Sequence, residues 1–249
     1  MSPGPDIPPP DLLLGGRVRL LQPGKGYRAA IDPVLLAAAV PAGEGERVLE
    51  LGCGAGAASL CLAARVPGCR VTGLEMQAEA AELARRNAAL NRLEERFEVV
   101  EGDLLRPPGV LRPGGFDRVM ANPPFHPAGA HTISPTAGKA ASHGEGEAGL
   151  ADWIAAALRF LKGRGTLTLV HRADRLDEIL ARLHGRFGAV TVLPLWPMQG
   201  REAKRVIVTA RRDARSPARL LPGLVLHGAG GAYTPEAERV LRDGVALET

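Results

Sequence analysis

The sequence predicts an α/β fold in which a doubly wound, mostly parallel sheet of seven strands ends in an antiparallel hairpin. Apolar strand-like segments alternate with helical segments, a glycine-rich turn follows the first strand, and polar residues follow several others. The predicted strands lie near 47–51, 69–75, 96–101, 116–121, 165–171, 188–195 and 204–210. The predicted helices lie near 55–65, 78–91, 149–161 and 173–184.

The hairpin is predicted because residues 196–203, between the last two strands, leave no room for a crossover helix. Segments on either side are expected to decorate the core. They are a small β unit of 17–21 with 27–31, a helix at 33–40, a segment at 222–227, and a helix at 235–242 started by Thr234 and Pro235. This gives a disordered arm over 1–14, a covering segment over 15–46, a core over 47–212 and an appendage over 213–249.

The glycine-rich turn indicates a ligand site at the start of the first predicted βα unit. Four residues form its centre: Gly52, Cys53, Gly54 and Gly56. Glycines there let the backbone approach a ligand closely, and their spacing also satisfies a dinucleotide pattern. Glu50, just before the turn, would repel a pyrophosphate and suits a ligand with an ammonium group or hydroxyls.

Further carboxylates follow the next two predicted strands. Glu75 comes about 20 residues after the glycines, where a carboxylate binds ribose hydroxyls in nucleotide-binding folds. Asp103 follows the strand at 96–101. Because parallel strands end at one edge of a sheet, Glu50, Glu75 and Asp103 are expected to lie together there with Asn122.

The segment Asn122-Pro123-Pro124-Phe125 directly follows the predicted strand 116–121. The two prolines fix the backbone and remove two N–H donors. The Asn122 side chain and the Pro123 carbonyl are then left to face a ligand, with the flat ring of Phe125 beside them. Such a site suits a planar group that carries an NH₂, which donates to the two acceptors while its ring stacks.

Together these motifs resemble the class I S-adenosylmethionine-dependent methyltransferases with a Rossmann-like fold. The glycine turn, Glu75, Asp103 and the Asn-Pro-Pro-Phe segment carry the resemblance, which extends over almost all of 15–244. Within that class the chain looks like the bacterial tRNA adenine-N6 methyltransferases that act on the anticodon-loop adenine of a valine tRNA. Many of those relatives have tyrosine where this chain has Phe125.

The resemblance implies a role for each matching position. Glu50 and the glycine turn would hold the methionine part of S-adenosylmethionine, Glu75 the ribose, and Asp103 the cofactor's adenine. Met76, Leu104 and Asn122 complete the implied cofactor contacts. Asn122, Pro123 and Phe125 are the implied catalytic residues, which would hold the target base.

Charge favours a phosphate-rich partner, since the net charge is +4 and the pI about 9.3. The candidate RNA contacts are Lys25, Tyr27, Arg28, Lys204 and Arg205. Basic residues also gather near the last strands: Arg201, Lys204, Arg205, Arg211, Arg212, Arg215 and Arg219. The alternative for each is an ordinary solvated surface charge.

Composition excludes several classes of protein. The three cysteines form no Cys-x-x-Cys pair, so neither a disulfide framework nor a zinc or other metal site is expected. The longest apolar run, 34–40, is too short to span a bilayer, and the start of the chain has no signal-peptide pattern. A cytoplasmic protein is expected, with a monomer as the simplest assembly. The polar loop 126–149 is expected to be a lid, an RNA-binding loop or disordered.

Four alternatives remain open at this point. A protein-glutamine N5-methyltransferase would use the same acceptors for an amide NH₂, and another RNA or DNA amino-methyltransferase would use them for a different base. A nicotinamide-dependent oxidoreductase fits the glycine pattern but leaves Glu50 and Asn122 unexplained. A non-catalytic RNA-binding module could retain the same fold.

Overall fold

The computed structural model describes residues 9–23, 29–124 and 148–249. Its two small N-terminal strands are β1 (Asp11–Leu13) and β2 (Val18–Leu20). The main sheet contains β3 (Arg47–Leu51), β4 (Arg70–Glu75), β5 (Phe97–Glu101), β6 (Phe116–Ala121), β7 (Leu161–Arg172), β8 (Phe187–Met198), β9 (Arg205–Arg212), β10 (Arg219–Leu220) and β11 (Leu224–His227).

Seven of these strands form the predicted sheet in the order β5-β4-β3-β6-β7-β9-β8. All neighbours from β5 to β7 are parallel, whereas β9 is antiparallel to both β7 and β8. The class I Rossmann-like fold and its terminal hairpin are therefore confirmed. The short strands β10 and β11 extend the β8 edge beyond the predicted seven, and both pair with β8 in parallel.

Helices cover both faces of the sheet. They are α1 (Asp32–Ala39), α2 (Ala57–Arg65), α3 (Ala78–Leu90), α4 (Leu150–Phe160), α5 (Leu176–Leu183) and α6 (Pro235–Leu241). One apolar core lies under α1, α2, α3 and α6, and the other lies under α4 and α5. The parallel strands β3 to β7 all end at one edge of the sheet, which is where ligand sites lie in folds of this kind.

The pairing predicted for the N-terminal β unit is wrong. Val18–Leu20, within the predicted 17–21, pair with Asp11–Leu13. Of the predicted partner segment 27–31, the described residues 29–31 lie outside any strand. The reason is the Gln22 side chain, which accepts a hydrogen bond from the Ala29 N–H at 2.6 Å and donates to the Ala29 carbonyl at 3.3 Å. The amide thus occupies the groups that a strand would have used. Residues 11–14 of the expected disordered arm are consequently ordered, and Leu14 is buried.

Asn87 on α3 connects this N-terminal segment to the glycine turn. Its Oδ1 accepts from the Leu21 N–H at 2.7 Å, and its Nδ2 donates to the Leu21 and Ala55 carbonyls, each at 2.9 Å. The Asn87 side chain is fully buried. Since a buried amide that loses its partners costs about 1–3 kcal/mol, these bonds fix the segment against the turn.

The C-terminal appendage is anchored through Thr234. Its Oγ1 accepts from the Ala237 N–H at 3.1 Å, which caps α6 as the sequence predicts, and Pro235 occupies the first turn. The same hydroxyl donates to the Val225 carbonyl of β11 at 2.7 Å. One side chain therefore joins the last helix to the edge of the main sheet.

Candidate active site

The strand ends bring the central site residues together at one edge, called here the carboxyl rim. Leu51, the last residue of β3, lies beside Leu74 of β4 on one side and beside Ala121 of β6 on the other. Gly52 therefore begins the glycine turn between Glu75 and Asn122. The sequence-based expectation that these residues converge is confirmed by the register of three parallel strands.

The glycine turn needs its glycines for conformation and for packing. Gly52, Gly54 and Gly56 all have positive φ, at 63°, 53° and 87°. A Cβ on Gly52 would lie 2.5 Å from the Trp153 ring, and one on Gly56 would lie 2.7 Å from the Phe97 ring. At Gly54 the same atom would meet no described residue within 4 Å. The turn is thus packed tightly at both ends and is open in the middle, where a ligand could approach the backbone.

Cys53 lies beneath this turn as a structural residue. It is buried, its N–H donates to the Leu74 carbonyl at 3.1 Å, and its thiol is free. Burial, with nearby Glu50 and Glu75, raises the pKa of the Cys53 thiol well above its ordinary value. The thiol is consequently protonated and is a poor nucleophile.

Glu75 supports the turn from the end of β4. One carboxylate oxygen accepts from the Gly54 N–H at 2.8 Å, and the other accepts from the Gln77 N–H at 2.9 Å. The side chain is buried. Each oxygen retains a further acceptor position, so the group that supports the turn can also accept bonds from ligand hydroxyls.

Glu50 is buried beside the start of α2. Its Oε2 accepts from the Ser59 N–H at 3.0 Å and from the Ser59 hydroxyl in a short hydrogen bond. Burial raises the pKa of Glu50 to about 8, although the bonds from Ser59 lower it. Without a neighbouring cation the carboxyl group is therefore largely protonated near pH 7. A ligand ammonium would favour the charged form.

Asn122 presents an acceptor that has no partner among the described residues. Its Oδ1 is buried and accepts no hydrogen bond within the described part of the chain. Pro123 next to it is buried, and Pro124 is exposed. Because an unpaired buried polar group costs about 1–3 kcal/mol, such an atom at a ligand edge indicates a donor that arrives with the ligand. Phe125 lies outside the described residues.

Asp103, Leu104 and Met76 line the outer side of the rim. Asp103 is partly exposed and accepts from the Leu105 N–H at 2.8 Å, which folds the loop after β5 back on itself. Met76 follows β4 and is 44% exposed. They lie next to Glu75, on the side away from Asn122, where the implied adenine of a cofactor would reach.

The predicted basic group is divided by the fold. Lys204 is exposed at the carboxyl rim, and Arg205 begins β9 there, with its Nε 3.2 Å from the Asp32 carboxylate of α1. Arg212 ends the same strand, about 24 Å away at ~3.4 Å per residue. The closeness of these basic residues in sequence suggested a single patch, but the structure divides them between two edges of the sheet. Lys25, Tyr27 and Arg28 lie outside the described residues.

Two residues close to the site had no role in the sequence analysis. Trp153 of α4 packs on Gly52, and its buried Nε1 has no partner among the described residues. Ser59 holds the Glu50 carboxyl group. Both come from helices whose apolar pattern predicts core positions, so periodicity alone could not distinguish them. Within the described ranges no three His, Cys, Asp or Glu residues are grouped as metal ligands, and no helix has the length and apolarity to cross a membrane.

Comparison with known proteins decides the family. Residues 30–194 match the family described as the methyltransferase small domain. The chain belongs to this family of S-adenosylmethionine-dependent methyltransferases. It is 31% identical over 93% of its length to a tRNA1(Val) (adenine(37)-N6)-methyltransferase of Porphyromonas gingivalis, 94% of which is covered.

Two further comparisons bear on this methyltransferase. A crystal structure of a predicted O-methyltransferase from Agrobacterium tumefaciens matches with a TM-score of 0.72 and 31% identity, covering 87% of this chain and 98% of that one. A release factor glutamine methyltransferase of Deinococcus radiodurans is 44% identical, but over only 34% of this chain and 28% of that protein. The first likeness spans the whole fold, whereas the second is restricted to one part.

Proposed function

We propose that this methyltransferase transfers a methyl group to the N6 atom of an adenine in tRNA, with the anticodon-loop adenine of a valine tRNA as its substrate. The relative from P. gingivalis, named for that reaction, matches nearly the whole chain and not only the core. Because its substrate would be a tRNA, the enzyme would act in the cytoplasm. In this proposal 47–212 form the catalytic core, 15–46 cover the cofactor and substrate, and 213–249 support the rim.

The observation that carries the proposal is the unpaired Oδ1 of Asn122 at the carboxyl rim. An adenine N6 lone pair is delocalised into the ring, so the amino group is a weak nucleophile. Acceptors at Asn122 and at the Pro123 carbonyl would bind its two hydrogens and favour a geometry in which the lone pair is available. This interaction strengthens as the nitrogen rehybridises, which is where binding energy accelerates a reaction.

The residues of the glycine turn fit S-adenosylmethionine. The space over Gly54 would admit a ligand against the backbone, the buried carboxyl group of Glu50 would pair with a cation, and Glu75 retains acceptor positions for hydroxyls. When bound, the cofactor supplies an electrophilic methyl group. The protein's part is to align the target nitrogen with that group and to exclude water. No strong base is required, because the nitrogen's proton becomes acidic once the nitrogen is alkylated.

A glutamine side chain is the strongest rival substrate, because an amide NH₂ would satisfy the same acceptors. The match to the glutamine methyltransferase supports this rival over only 34% of this chain. Exposed basic residues at the rim, such as Arg201 and Lys204, favour a polyanion. The two substrates differ in their product, N6-methyladenosine or N5-methylglutamine, so mass spectrometry separates them directly.

The test compares Asn122→Ala with a matched variant, Thr209→Val. Thr209 also has a buried, unpartnered oxygen, but in the middle of β9. Asn122→Ala should lower the rate of tRNA methylation by about 10²-fold with little change in cofactor affinity, as for an interaction made mainly in the transition state. Thr209→Val should keep both values. Mass spectrometry of tRNA nucleosides measures the rate, and calorimetry measures the affinity. A wild-type enzyme that methylates glutamine and not tRNA would refute the proposal.

A further inference from the structure

Two aromatic rings stack at the edge of the sheet formed by the appendage. The rings of His227 and Tyr233 have centroids 4.7 Å apart and planes 22° apart. Both residues are partly exposed. Aromatic residues make up only 4% of the chain. The proposed catalytic mechanism gives this pair no role.

Backbone pairing holds the two ring-bearing residues next to each other. His227 ends β11 and lies beside Met198 at the end of β8, while Tyr233 returns to form an isolated antiparallel bridge with His227. The turn between them is closed by a bond from the Gly228 N–H to the Ala232 carbonyl at 2.9 Å. A preformed pair of rings loses little conformational freedom when a third ring binds, which favours stacking.

The pair lies on the same rim as the active site. The strand β11 is parallel to β8, β8 and β7 are both antiparallel to β9, and β7 is parallel to β6, so β6 and β11 end at the same edge. Four strand spacings separate them laterally, roughly 19 Å at ~4.8 Å each. The register also puts His227 level with Met198, six residues of β8 beyond Val192, which is level with Ala121; this adds roughly 20 Å along the strands at ~3.4 Å per residue. The combined distance of about 28 Å corresponds to about eight nucleotides of stacked strand at ~3.4 Å per nucleotide.

The chemistry of this surface fits a base better than a phosphate. Arg201 and Lys204 are exposed between it and the active site, where they suit phosphates, whereas the exposed carboxylate of Glu236, three residues from Tyr233, disfavours a phosphate at the rings themselves. Flat rings and the apolar Met198, which is 37% exposed, provide a stacking surface. We propose that His227, Tyr233 and Met198, named here the stacking platform, bind a base of the RNA outside the catalytic pocket. This inference rests on the proposed tRNA substrate.

The test separates stacking from support of the turn. Tyr233→Phe retains the ring, whereas Tyr233→Leu retains apolar bulk without a flat face. The leucine variant should raise the KM for tRNA about 10-fold to 100-fold, in keeping with the loss of one stacked base, with kcat within about twofold of wild type by the same reasoning. The phenylalanine variant should match wild type. His227→Leu repeats the test without altering Tyr233. It keeps the result interpretable if Tyr233→Leu has a lowered melting temperature.

Ultraviolet crosslinking provides a direct readout. Wild-type enzyme irradiated with tRNA should yield a peptide containing Tyr233 joined to a nucleotide, identified by mass spectrometry. Unchanged KM values in both leucine variants, or no crosslink in the 224–234 segment, would overturn the platform while tRNA methylation by wild type still upholds the enzyme's substrate. A wild-type enzyme that leaves tRNA unmethylated would overturn the substrate and the platform together.

Discussion

Glu50 and Glu75 have the same side-chain chemistry in different surroundings. Both are buried near the glycine turn, but Glu75 accepts two backbone N–H groups that fix its position. Glu50 accepts from the N–H and the hydroxyl of Ser59, and burial raises its pKa to about 8. Desolvation outweighs the Ser59 hydrogen bonds at Glu50, so its charge depends on what binds next to it.

Cofactor affinity should therefore depend on pH through Glu50. If the ionised carboxylate pairs with the cofactor, affinity should fall by up to ~10-fold per unit as the pH drops below about 8. Glu50→Gln should bind weakly and lose this dependence, whereas the exposed control Glu98→Gln should behave as wild type. Calorimetry from pH 6 to 9 measures it. The ligand's own titration affects all variants equally. The ratio of wild-type to Glu50→Gln affinity therefore reports the titration of Glu50 alone. A ratio that does not change with pH would contradict the pairing.

The same carboxyl group affects the stability of the ligand-free protein in the opposite sense. Its folded pKa, about 8, lies above the ordinary value of 4.5. Its contribution to stability is therefore fully present below pH ~4.5 and is lost as the pH rises towards 8. The melting temperature of Glu50→Gln minus that of wild type should therefore be larger above pH 8 than at pH 5. Thermal unfolding of both proteins at the two pH values measures this difference.

At the scale of elements, the glycine turn combines two functions that substitutions can separate. Gly56 is pressed against the Phe97 ring, whereas Gly54 faces open space. Both have positive φ, so an alanine at either position incurs about 1–2 kcal/mol of backbone strain. Only at Gly56 does the added methyl group also collide with the core.

Gly56→Ala should consequently lower the free energy of unfolding by about 1–3 kcal/mol more than Gly54→Ala does. Gly54→Ala should mainly weaken cofactor binding, because its methyl group occupies space over the turn. Thermal unfolding and calorimetry measure the two effects. Equal stabilities would contradict the collision at Gly56, and normal cofactor affinity in Gly54→Ala would show that the open space over the turn is not where the ligand lies.

Local sequence predicted most elements of the core, but it could not predict contacts between distant segments. Asn122 was identifiable because it directly follows a strand and precedes two prolines. The pairing of β1 with β2 was missed, since the proline-rich start of the chain resembles a disordered arm. The contact between Trp153 and Gly52 was not predicted either, because it depends on how α4 lies across the sheet.

At the scale of the whole molecule, the length of β9 separates basic residues that are neighbours in sequence. Arg201 and Lys204 lie at the carboxyl rim, whereas Arg186 and Arg215 are exposed at the opposite edge. A run of charges along a strand thus spans the height of the sheet. Charge counts in sequence overestimate the patch that one partner can contact.

Salt dependence of tRNA binding should distinguish the two edges. Replacing Arg201 and Lys204 with alanine should reduce the slope of log affinity against log salt by about one to two, because each phosphate contact contributes ~0.9 or less. The matched pair, Arg186→Ala with Arg215→Ala, should leave the slope unchanged. Binding titrations from 50 to 300 mM salt measure it. Equal slopes for both double variants would contradict RNA binding at the carboxyl rim.

The side chain of Gln22 holds Ala29 close to it by two hydrogen bonds. Both backbone groups of Ala29 are held by one amide, which also donates to the Asp11 carboxylate. Gln22 and Ala29 are consequently held together by a single amide. Because loop-closure entropy changes only slowly with length, the anchorage of this part of the chain depends more on that one side chain than on the number of residues it spans.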